Sequence, residues 1–255
     1  MTTNRRLLRT EALLGKDGIE KLQNATVMIV GLGAVGGYAL EALARSGVGK
    51  LILADFDVVE ETNINRQILA LSSTIGMPKI EAARARVREI NPDCQVETLR
   101  IFVNGDTLPN LLSHRADMVI DAIDALNPKC CLMEELYRRG IPFISSMGAA
   151  LKTDPAHIHY GKLSNTKNCS LSRFIRKRLK KRGVDISRID CVFSDEQSSL
   201  REGAIFQDME TLNTEVSAGR QGRVRNTLGS MPTITAIFGL TIANQVILRL
   251  AAPQI

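Results

Sequence analysis

The chain has 255 residues, of which 44% are apolar, so it can bury the core of one large α/β domain. Its formal net charge of +6 favours a polyanionic partner such as nucleic acid. Five cysteines without a CxxC pair and an N-terminus without an apolar signal segment argue against a secreted disulfide framework. They predict free thiols and a cytoplasmic location.

Strand and helix patterns alternate through residues 25–150. Short apolar runs typical of buried parallel strands lie at 26–31, 50–57, 94–100, 116–124 and 141–146. Helical patterns separate them, including a short one at 107–114, and they end at stop signals such as Gly47, Asn91-Pro92 and Gly140. Such alternation with short loops predicts right-handed βαβ units and a doubly wound, mostly parallel, Rossmann-like α/β sheet.

The pattern changes after Ala149. An exposed strand is predicted at 157–164, a basic helix at 171–183 and a long mobile loop in the polar stretch 195–228. The chain closes with the uncharged segment 232–248, which falls short of the roughly 18–20 apolar residues of a membrane span. We therefore predict a buried or subunit-interface helix there, without stable membrane insertion.

Three parts of the chain follow from these patterns. They are an N-terminal helical arm (1–24), a nucleotide-binding half (25–150) and a smaller C-terminal α+β part (151–255) that carries substrate and dimer contacts.

The run GLGAVG has the GxGxxG spacing of a nucleotide-binding loop, with glycines at Gly31, Gly33 and Gly36 and with Ala34 between them. In such a loop the glycines permit the tight turn, the approach of phosphate to the backbone and the packing of the helix on the strand. Asp55 follows at the distance typical of an acid that binds ribose hydroxyls. The loop and this acid together predict a nucleotide site.

The residues after Asp55 favour ATP over a nicotinamide dinucleotide, although hydride transfer stays open as a minor alternative. A triphosphate carries more charge than a dinucleotide and is stabilised by additional cations. The polar candidates for contacts with it are Asp57, Asn65, Arg66, Gln67 and Lys79. At the end of a later strand, Asp121 and Asp124 offer oxygen ligands of the kind that Mg²⁺ prefers.

Four segments resemble the ubiquitin-activating-enzyme-like superfamily, which includes the bacterial ThiF and MoeB adenylyltransferases. They are GLGAVGG, ADFDVVEETNINRQ, GMPKIEAARARVREINP and DAIDALNPK, within residues 20–150. The resemblance implies that Asp55 holds the ribose, that Asp57 stands near the phosphates and that Asp124 binds Mg²⁺. The resemblance also implies that three further residues contact the triphosphate, namely Asn65, Arg66 and Lys79.

The same resemblance implies a homodimer in which an arginine near one N-terminus reaches the γ-phosphate bound by the other subunit. Arg9 matches that arginine best, and Arg6 is the reserve. Arg9 therefore joins Arg66, Lys79 and Asp124 as a candidate catalytic residue.

Two later segments, 184–196 and 228–239, are similar to the tRNA threonylcarbamoyladenosine dehydratase branch of that superfamily. This similarity implies that ATP activates the free carboxylate of the threonyl group on adenosine 37 of certain tRNAs, and that internal attack then closes a ring and expels AMP. The alternative is activation of a ubiquitin-like sulfur carrier that ends in Gly-Gly. A non-enzymatic RNA-binding scaffold is a further alternative.

Cysteine and histidine positions give weaker signals. Cys130 and Cys131 are adjacent on a predicted helix and point in different directions, so no zinc is expected. Cys191 is the best candidate thiol, but its apolar flank favours a buried structural cysteine. A sulfur-transfer protein is a candidate partner. His157 and His159 share one strand face, which fits either a metal site or, more commonly, ordinary exposed histidines.

The predicted basic helix carries seven cations within ten residues and no acid. Because such charges repel one another, an anionic partner would stabilise them, and we predict contacts with tRNA phosphates. A solvated helix face is the alternative. The seven cations are Arg173, Arg176, Lys177, Arg178, Lys180, Lys181 and Arg182.

Overall fold

The computed structural model describes residues 4–197, 205–206 and 227–252. Its strands are β1 (Thr26–Val30), β2 (Lys50–Ala54), β3 (Gln95–Leu99), β4 (Met118–Asp121), β5 (Phe143–Ser146), β6 (Ile158–Lys162), β7 (Asp190–Ser194), β8 (Ile205–Phe206) and β9 (Thr227–Leu228). Its α-helices are α1 (Leu8–Asn24), α2 (Gly36–Arg45), α3 (Lys79–Ile90), α4 (Leu108–Leu111), α5 (Leu126–Arg138), α6 (Ser170–Lys181) and α7 (Pro232–Ala251).

Seven strands form one sheet in the order β3-β2-β1-β4-β5-β7-β6. Every neighbouring pair is parallel except β6, which runs antiparallel to β7 at the edge. The predicted doubly wound, mostly parallel sheet is therefore confirmed. From β1 the chain winds outward to β2 and β3 and then returns to β4 on the other side of β1. This reversal opens a crevice at the carboxyl ends of β1 and β4, where open α/β sheets bind their ligands.

The core lies on both faces of this sheet, as the near-continuous apolar strands require. On one face, Val27 and Ile29 of β1 pack in a cluster with residues of α2 and α7. On the other face, Met28 and Val30 of the same strand pack in a cluster with residues of α5 and α6. The alternation along β1 thus separates the helices into two layers: α1, α2, α3 and α7 contribute to the first cluster, and α4, α5 and α6 contribute to the second.

Helix α7 is the one described helix that is long and apolar enough to cross a membrane by length and composition. Its most apolar stretch has a mean hydropathy of 1.6, and 39% of that stretch is buried. Phe238, Ile242 and Val246 are fully buried in the core cluster that α7 shares with α2. A core helix of a soluble protein has the same properties, so the composition of α7 is weak support for a membrane span.

The C-terminal strands β7 and β6 continue the sheet of the nucleotide-binding half. The predicted basic helix corresponds to α6, and the strand predicted at 157–164 corresponds to β6. Within the predicted loop 195–228, β8 and β9 pair as a short antiparallel ribbon, whereas 198–204 and 207–226 lie outside the described residues. The division into three parts stays a prediction.

Candidate active site

The glycine loop occupies the crevice at the carboxyl end of β1. Gly31 follows the strand with a φ of +94°, and a Cβ on it would stand 2.8 Å from the carbonyl oxygen of Ala122. A Cβ on Gly36 would stand 1.8 Å from the carbonyl oxygen of Gly31. The loop therefore touches the segment after β4 and presses the start of α2 onto the end of β1, a geometry that only glycine permits at both positions.

Asp55 ties the glycine loop to the end of β2. Its Oδ2 accepts a hydrogen bond of 2.6 Å from the backbone N–H of Leu32, and its Oδ1 accepts one of 2.8 Å from the N–H of Asp57. Burial raises the pKa of Asp55, while the Lys79 charge and these two hydrogen bonds act in the opposite direction. The carboxylate is thus fixed at the point where a ribose would meet the loop.

Lys79 brings a cation to the same place. Its Nζ lies 3.1 Å from Oδ2 of Asp57, and its backbone N–H donates to the carbonyl oxygen of Asp57 over 3.0 Å. The Lys79 side chain is only 8% exposed, whereas that of Asp57 is 47% exposed. The start of α3 therefore holds a nearly buried ammonium group beside a carboxylate that solvent can reach.

The turn before α3 supplies three polar side chains. Arg66 donates from Nη1 to the carbonyl oxygen of Thr62 over 2.9 Å and to Oδ1 of Asn65 over 2.8 Å. Asn65 in turn donates to the carbonyl oxygen of Ser230 over 3.4 Å, just before α7. Gln67 is buried, with Nε2 4.0 Å from the point where a Cβ on Gly33 would stand. Gln67 thus borders the glycine loop, and Arg66 lies beside it in the chain.

Asp121 and Asp124, although close in sequence, have different surroundings. Oδ2 of Asp121 lies 2.8 Å from Nζ of Lys129, and both side chains are fully buried. Ser145 donates to the same oxygen over 2.7 Å, and Oδ1 accepts from the N–H of Ile123 over 3.1 Å. The expectation that Asp121 offers a magnesium ligand is therefore wrong, because both oxygens are engaged in a closed interior. Asp124 is exposed at the crevice.

Lys129 is a residue that the sequence analysis missed. Besides Asp121, its ammonium group donates to the carbonyl oxygens of Asp121 and Ile123, over 3.3 and 3.0 Å. It thereby fixes the turn that leads to Asp124. The available signal was its position, since Lys129 shares the buried stripe of α5 with Leu132, Met133 and Leu136.

Helix α6 lies next to this turn. Ile175 and Leu179 are buried in the core cluster that also holds residues of α5, and Arg178 donates to Oδ1 of Asn127 in the first turn of α5. Arg182 pairs with Glu134 over 2.6 Å, and Arg176 donates to Thr166. These three cations therefore hold the helix in place. The four that are exposed without an acidic partner among the described residues are Arg173, Lys177, Lys180 and Lys181.

Two sequence-predicted residues lie apart from the site. Arg9 is exposed on α1, and no ion pair or hydrogen bond joins its side chain to any residue within 4–197, 205–206 or 227–252. Cys191 is fully buried in β7, and burial raises its pKa to about 12. A thiol this hard to ionise is a poor nucleophile, which supports the structural interpretation of Cys191.

Comparison with known proteins agrees with this geometry. The model of the ThiF family matches residues 4–254. The chain is 45% identical to the tRNA threonylcarbamoyladenosine dehydratase of Bacillus subtilis, over 74% of each chain. It is 33% identical to the Escherichia coli enzyme of that name, over 95% of this chain and 92% of the relative.

A solved structure of the Escherichia coli dehydratase TcdA in complex with ATP is similar along almost the whole chain. It has a TM-score of 0.84 and 32% identity, covering 96% of this chain and 93% of that one. In contrast, the molybdopterin-synthase adenylyltransferase of Haemophilus influenzae, 36% identical, matches 54% of this chain and 56% of its own. On these findings, the chain belongs to the ThiF family.

Proposed function

We propose that this protein is an ATP-dependent tRNA threonylcarbamoyladenosine dehydratase. It adenylates the threonyl carboxylate at adenosine 37, which then cyclises with the net loss of water. The observation that carries the proposal is the crevice at the carboxyl ends of β1 and β4, where the glycine loop, Asp55 and Lys79 meet, and where Arg178 of the cationic helix α6 binds Asn127 just after the β4 turn. Dehydratase relatives that match nearly the full chain support it further.

The site residues have distinct roles in this proposal. Asp55 accepts the ribose hydroxyls, and the N–H groups at the start of α2 face phosphate across the loop that includes Gly33 and Ala34. Lys79 supplies positive charge that Asp57 now neutralises and that a triphosphate would share. The remaining contacts to the triphosphate come from Asn65, Arg66 and Gln67.

Adenylation solves a chemical problem that the substrate poses. A carboxylate is a poor electrophile, but its attack on the α-phosphorus of ATP releases pyrophosphate and gives an acyl-adenylate with a good leaving group. The attacking atom of the second step belongs to the substrate itself, so the enzyme needs no nucleophile, which agrees with the burial of Cys191. The protein orients the reactants and stabilises the charge that develops at phosphorus.

Several finer points belong to the same proposal. The exposed carboxylate of Asp124 at the crevice is of the ligand type that Mg²⁺ prefers, and a bound ion there would neutralise phosphate charge. We also propose a cytoplasmic homodimer, with Arg9 of the partner subunit completing each site. The tRNA lies along α6, where Arg173, Lys177, Lys180 and Lys181 face solvent.

Activation of a ubiquitin-like sulfur carrier is the second candidate, because adenylyltransferases of that kind match the nucleotide-binding half. It would require pyrophosphate exchange that depends on a Gly-Gly C-terminus and not on RNA. The similarity to these relatives covers about half of the chain, whereas the dehydratase similarity extends through α6 and α7.

Mass analysis of nucleosides from threonylcarbamoylated tRNA tests the proposal directly. With the protein, ATP and Mg²⁺, the modified adenosine should lose the mass of one water, and AMP should form in step. The Lys79→Met variant should be slower by about 100-fold or more, the loss typical when one charge-stabilising donor is removed. Arg88→Met, at an exposed position in the last turn of the same helix α3, is the matched control and should keep full activity. An unchanged nucleoside mass with pyrophosphate exchange driven by a Gly-Gly peptide would favour the sulfur-carrier alternative.

A further inference from the structure

The edge of the sheet that is furthest from β3 carries a cluster of metal-ligating side chains that the proposed function does not use. Nδ1 of His157 lies 2.8 Å from Oδ1 of Asp195, and Nε2 of His159 lies 3.0 Å from the same oxygen. One ligand atom from each residue falls within 4.8 Å of the others. Within the described part of the chain, no other group of three histidine, cysteine or acidic residues is placed to hold a metal ion.

Strand register brings these three residues together. Ile158 pairs with Ser194 and His159 pairs with Phe193 across the antiparallel β6–β7 pair. One step further along, His157 stands opposite Asp195, and the N–H of Asp195 donates to the carbonyl oxygen of His157 over 3.1 Å. His157 ends a 3-10 helix directly before β6, and His159 lies two residues further along, where its Nε2 reaches the same oxygen of Asp195.

Neighbouring hydrogen bonds hold the ligand-bearing segment in place before any ion arrives. Nδ2 of Asn168 donates to the carbonyl oxygen of Asp195 over 2.6 Å. The carboxylate of Glu196 accepts from the N–H groups of Thr153 and Asp154, over 2.9 and 3.1 Å. The backbone that carries Asp195 is therefore fixed on both sides.

The other nitrogen of His157 faces a second carboxylate. Its Nε2 lies 3.8 Å from Oδ2 of Asp154, while Oδ1 of Asp154 accepts from the N–H of Ala156 over 2.8 Å. Metal-binding histidines commonly direct their free ring nitrogen at such a carboxylate, which orients the ring and raises its basicity. At 3.8 Å the contact is longer than a hydrogen bond, so Asp154 attracts the ring electrostatically and lies where a modest movement would let it accept from Nε2.

We propose that His157, His159 and Asp195 form a surface site for a first-row divalent cation such as Zn²⁺. Two imidazoles and one carboxylate suit zinc, cobalt or nickel. Bonds of about 2.0–2.2 Å to a tetrahedral ion separate neighbouring ligand atoms by roughly 3.3–3.6 Å. The two short contacts would therefore widen by a few tenths of an ångström, and water completes the shell at this exposed position.

The proposed metal site is separate from the nucleotide site. It also differs from a zinc site built from cysteine thiolates, which the sequence argues against. Asp195 follows the carboxyl end of β7, which is two strands away from β4 in the sheet. The carboxyl ends of β4 and β7 are therefore about 10 Å apart. No cysteine contributes a ligand.

Titration of the untagged full-length protein with Zn²⁺ at pH 7.5 tests the site, with heat as the readout and Co²⁺ as a spectroscopic substitute. We expect one ion per chain and a visible cobalt spectrum without thiolate charge transfer. The His157→Ala/His159→Ala variant should bind at least about tenfold more weakly, a loss of 1.4 kcal/mol or more. His114→Ala is the matched control, because His114 is the only other histidine in the chain and pairs with Glu97.

Two results would overturn the site. Equal zinc affinity and stoichiometry in the wild type and the double variant would leave His157, His159 and Asp195 as a salt-bridge cluster only. A strong thiolate band in the cobalt spectrum would assign binding to cysteine. Both readouts are independent of tRNA and ATP, so failure of this site leaves the proposed dehydratase function unaffected.

Discussion

Asp121 and Lys129 form an ion pair without any exposed side-chain surface, 2.8 Å apart, directly under the turn that leads to Asp124. Removal of two charges from water is costly, and the pair is tolerable because Ser145, Ile123 and two carbonyl groups satisfy the remaining hydrogen-bonding positions. The pair therefore links the stability of the core to the shape of the active-site turn.

We expect Lys129→Met to lower the free energy of unfolding by about 3–5 kcal/mol, because Asp121 would remain as an uncompensated buried charge. Urea denaturation measures this change. In the double variant Lys129→Met/Asp121→Asn the charge is gone, and much of the lost stability should return. If the single variant unfolded at the same urea concentration as the wild type, the ion pair would have no such role.

The cysteines should differ sharply in reactivity. Burial raises the pKa of Cys191 to about 12 and that of Cys94 to about 11, so almost no thiolate exists at pH 8. Iodoacetamide should modify the half-buried Cys131 and Cys169 in the native protein and leave Cys191 untouched until urea is added. Peptide mass mapping gives the extent at each thiol. Rapid labelling of native Cys191 would reopen thiol chemistry at that position.

At the scale of the element, the cations of α6 fall into two groups with different roles. Three arginines anchor the helix, while Lys177, Lys180 and Lys181 remain exposed to solvent. An anchored helix with free lysines can hold a phosphate backbone in one register without reading its bases.

The triple change Lys177→Ala/Lys180→Ala/Lys181→Ala should weaken tRNA binding and reduce the dependence of log K on log salt by about two to three units. The control variant has Ala at three exposed cations elsewhere, namely Lys16, Arg88 and Arg115. It removes the same amount of charge and should bind tRNA nearly as tightly as the wild type. Affinity measured over a series of salt concentrations separates the two. Equal losses in both variants would mean that only net charge matters.

Most strands and helices could be predicted, because the pattern that indicates each of them lies within one short segment of the sequence. The apolar run 26–31 becomes β1, and the basic run becomes α6 within two residues at each end. The helix predicted at 107–114 shrinks to α4, Leu108–Leu111, and its N-cap residue Thr107 makes no capping hydrogen bond with its side chain. So short a helix has little stability of its own, which explains why the periodicity overestimates its length.

Pairings between distant segments could not be predicted. The joining of β7 to β5, and of β6 to β7, depends on core packing that no single segment displays. The same limit explains the error at Asp121, because Asp121 and Asp124 look alike in sequence. Only the approach of Lys129 from α5 and Ser145 from β5 distinguishes the buried acid from the exposed one.

At the scale of the whole molecule, exposed apolar side chains on α1 and α7 support the proposed dimer. Leu13 is 83% exposed, and Leu240 and Leu248 are 44% and 48% exposed, on two helices that pack against each other. A second copy that covers this surface would also bring its own N-terminal arm, with Arg9, towards the neighbouring subunit.

Mixing two inactive variants tests whether Arg9 acts across the dimer. Arg9→Ala and Lys79→Met alter different parts of one site, so a mixed dimer would retain one intact site of its two. After subunit exchange at equal concentrations, about a quarter of wild-type dehydratase activity should return. Each variant alone, incubated under the same conditions, is the control. Activity no higher than the mean of the separate variants would assign Arg9 to its own subunit or to no site.

The hydrogen bond from Leu32 to Asp55 also bears on how fast the nucleotide is captured. Because this hydrogen bond already holds the glycine loop at the end of β2, the loop loses its conformational entropy during folding and not when the nucleotide binds. Association should then be a single bimolecular step, with an observed rate that rises linearly with nucleotide concentration and shows no plateau from a slow rearrangement of the loop.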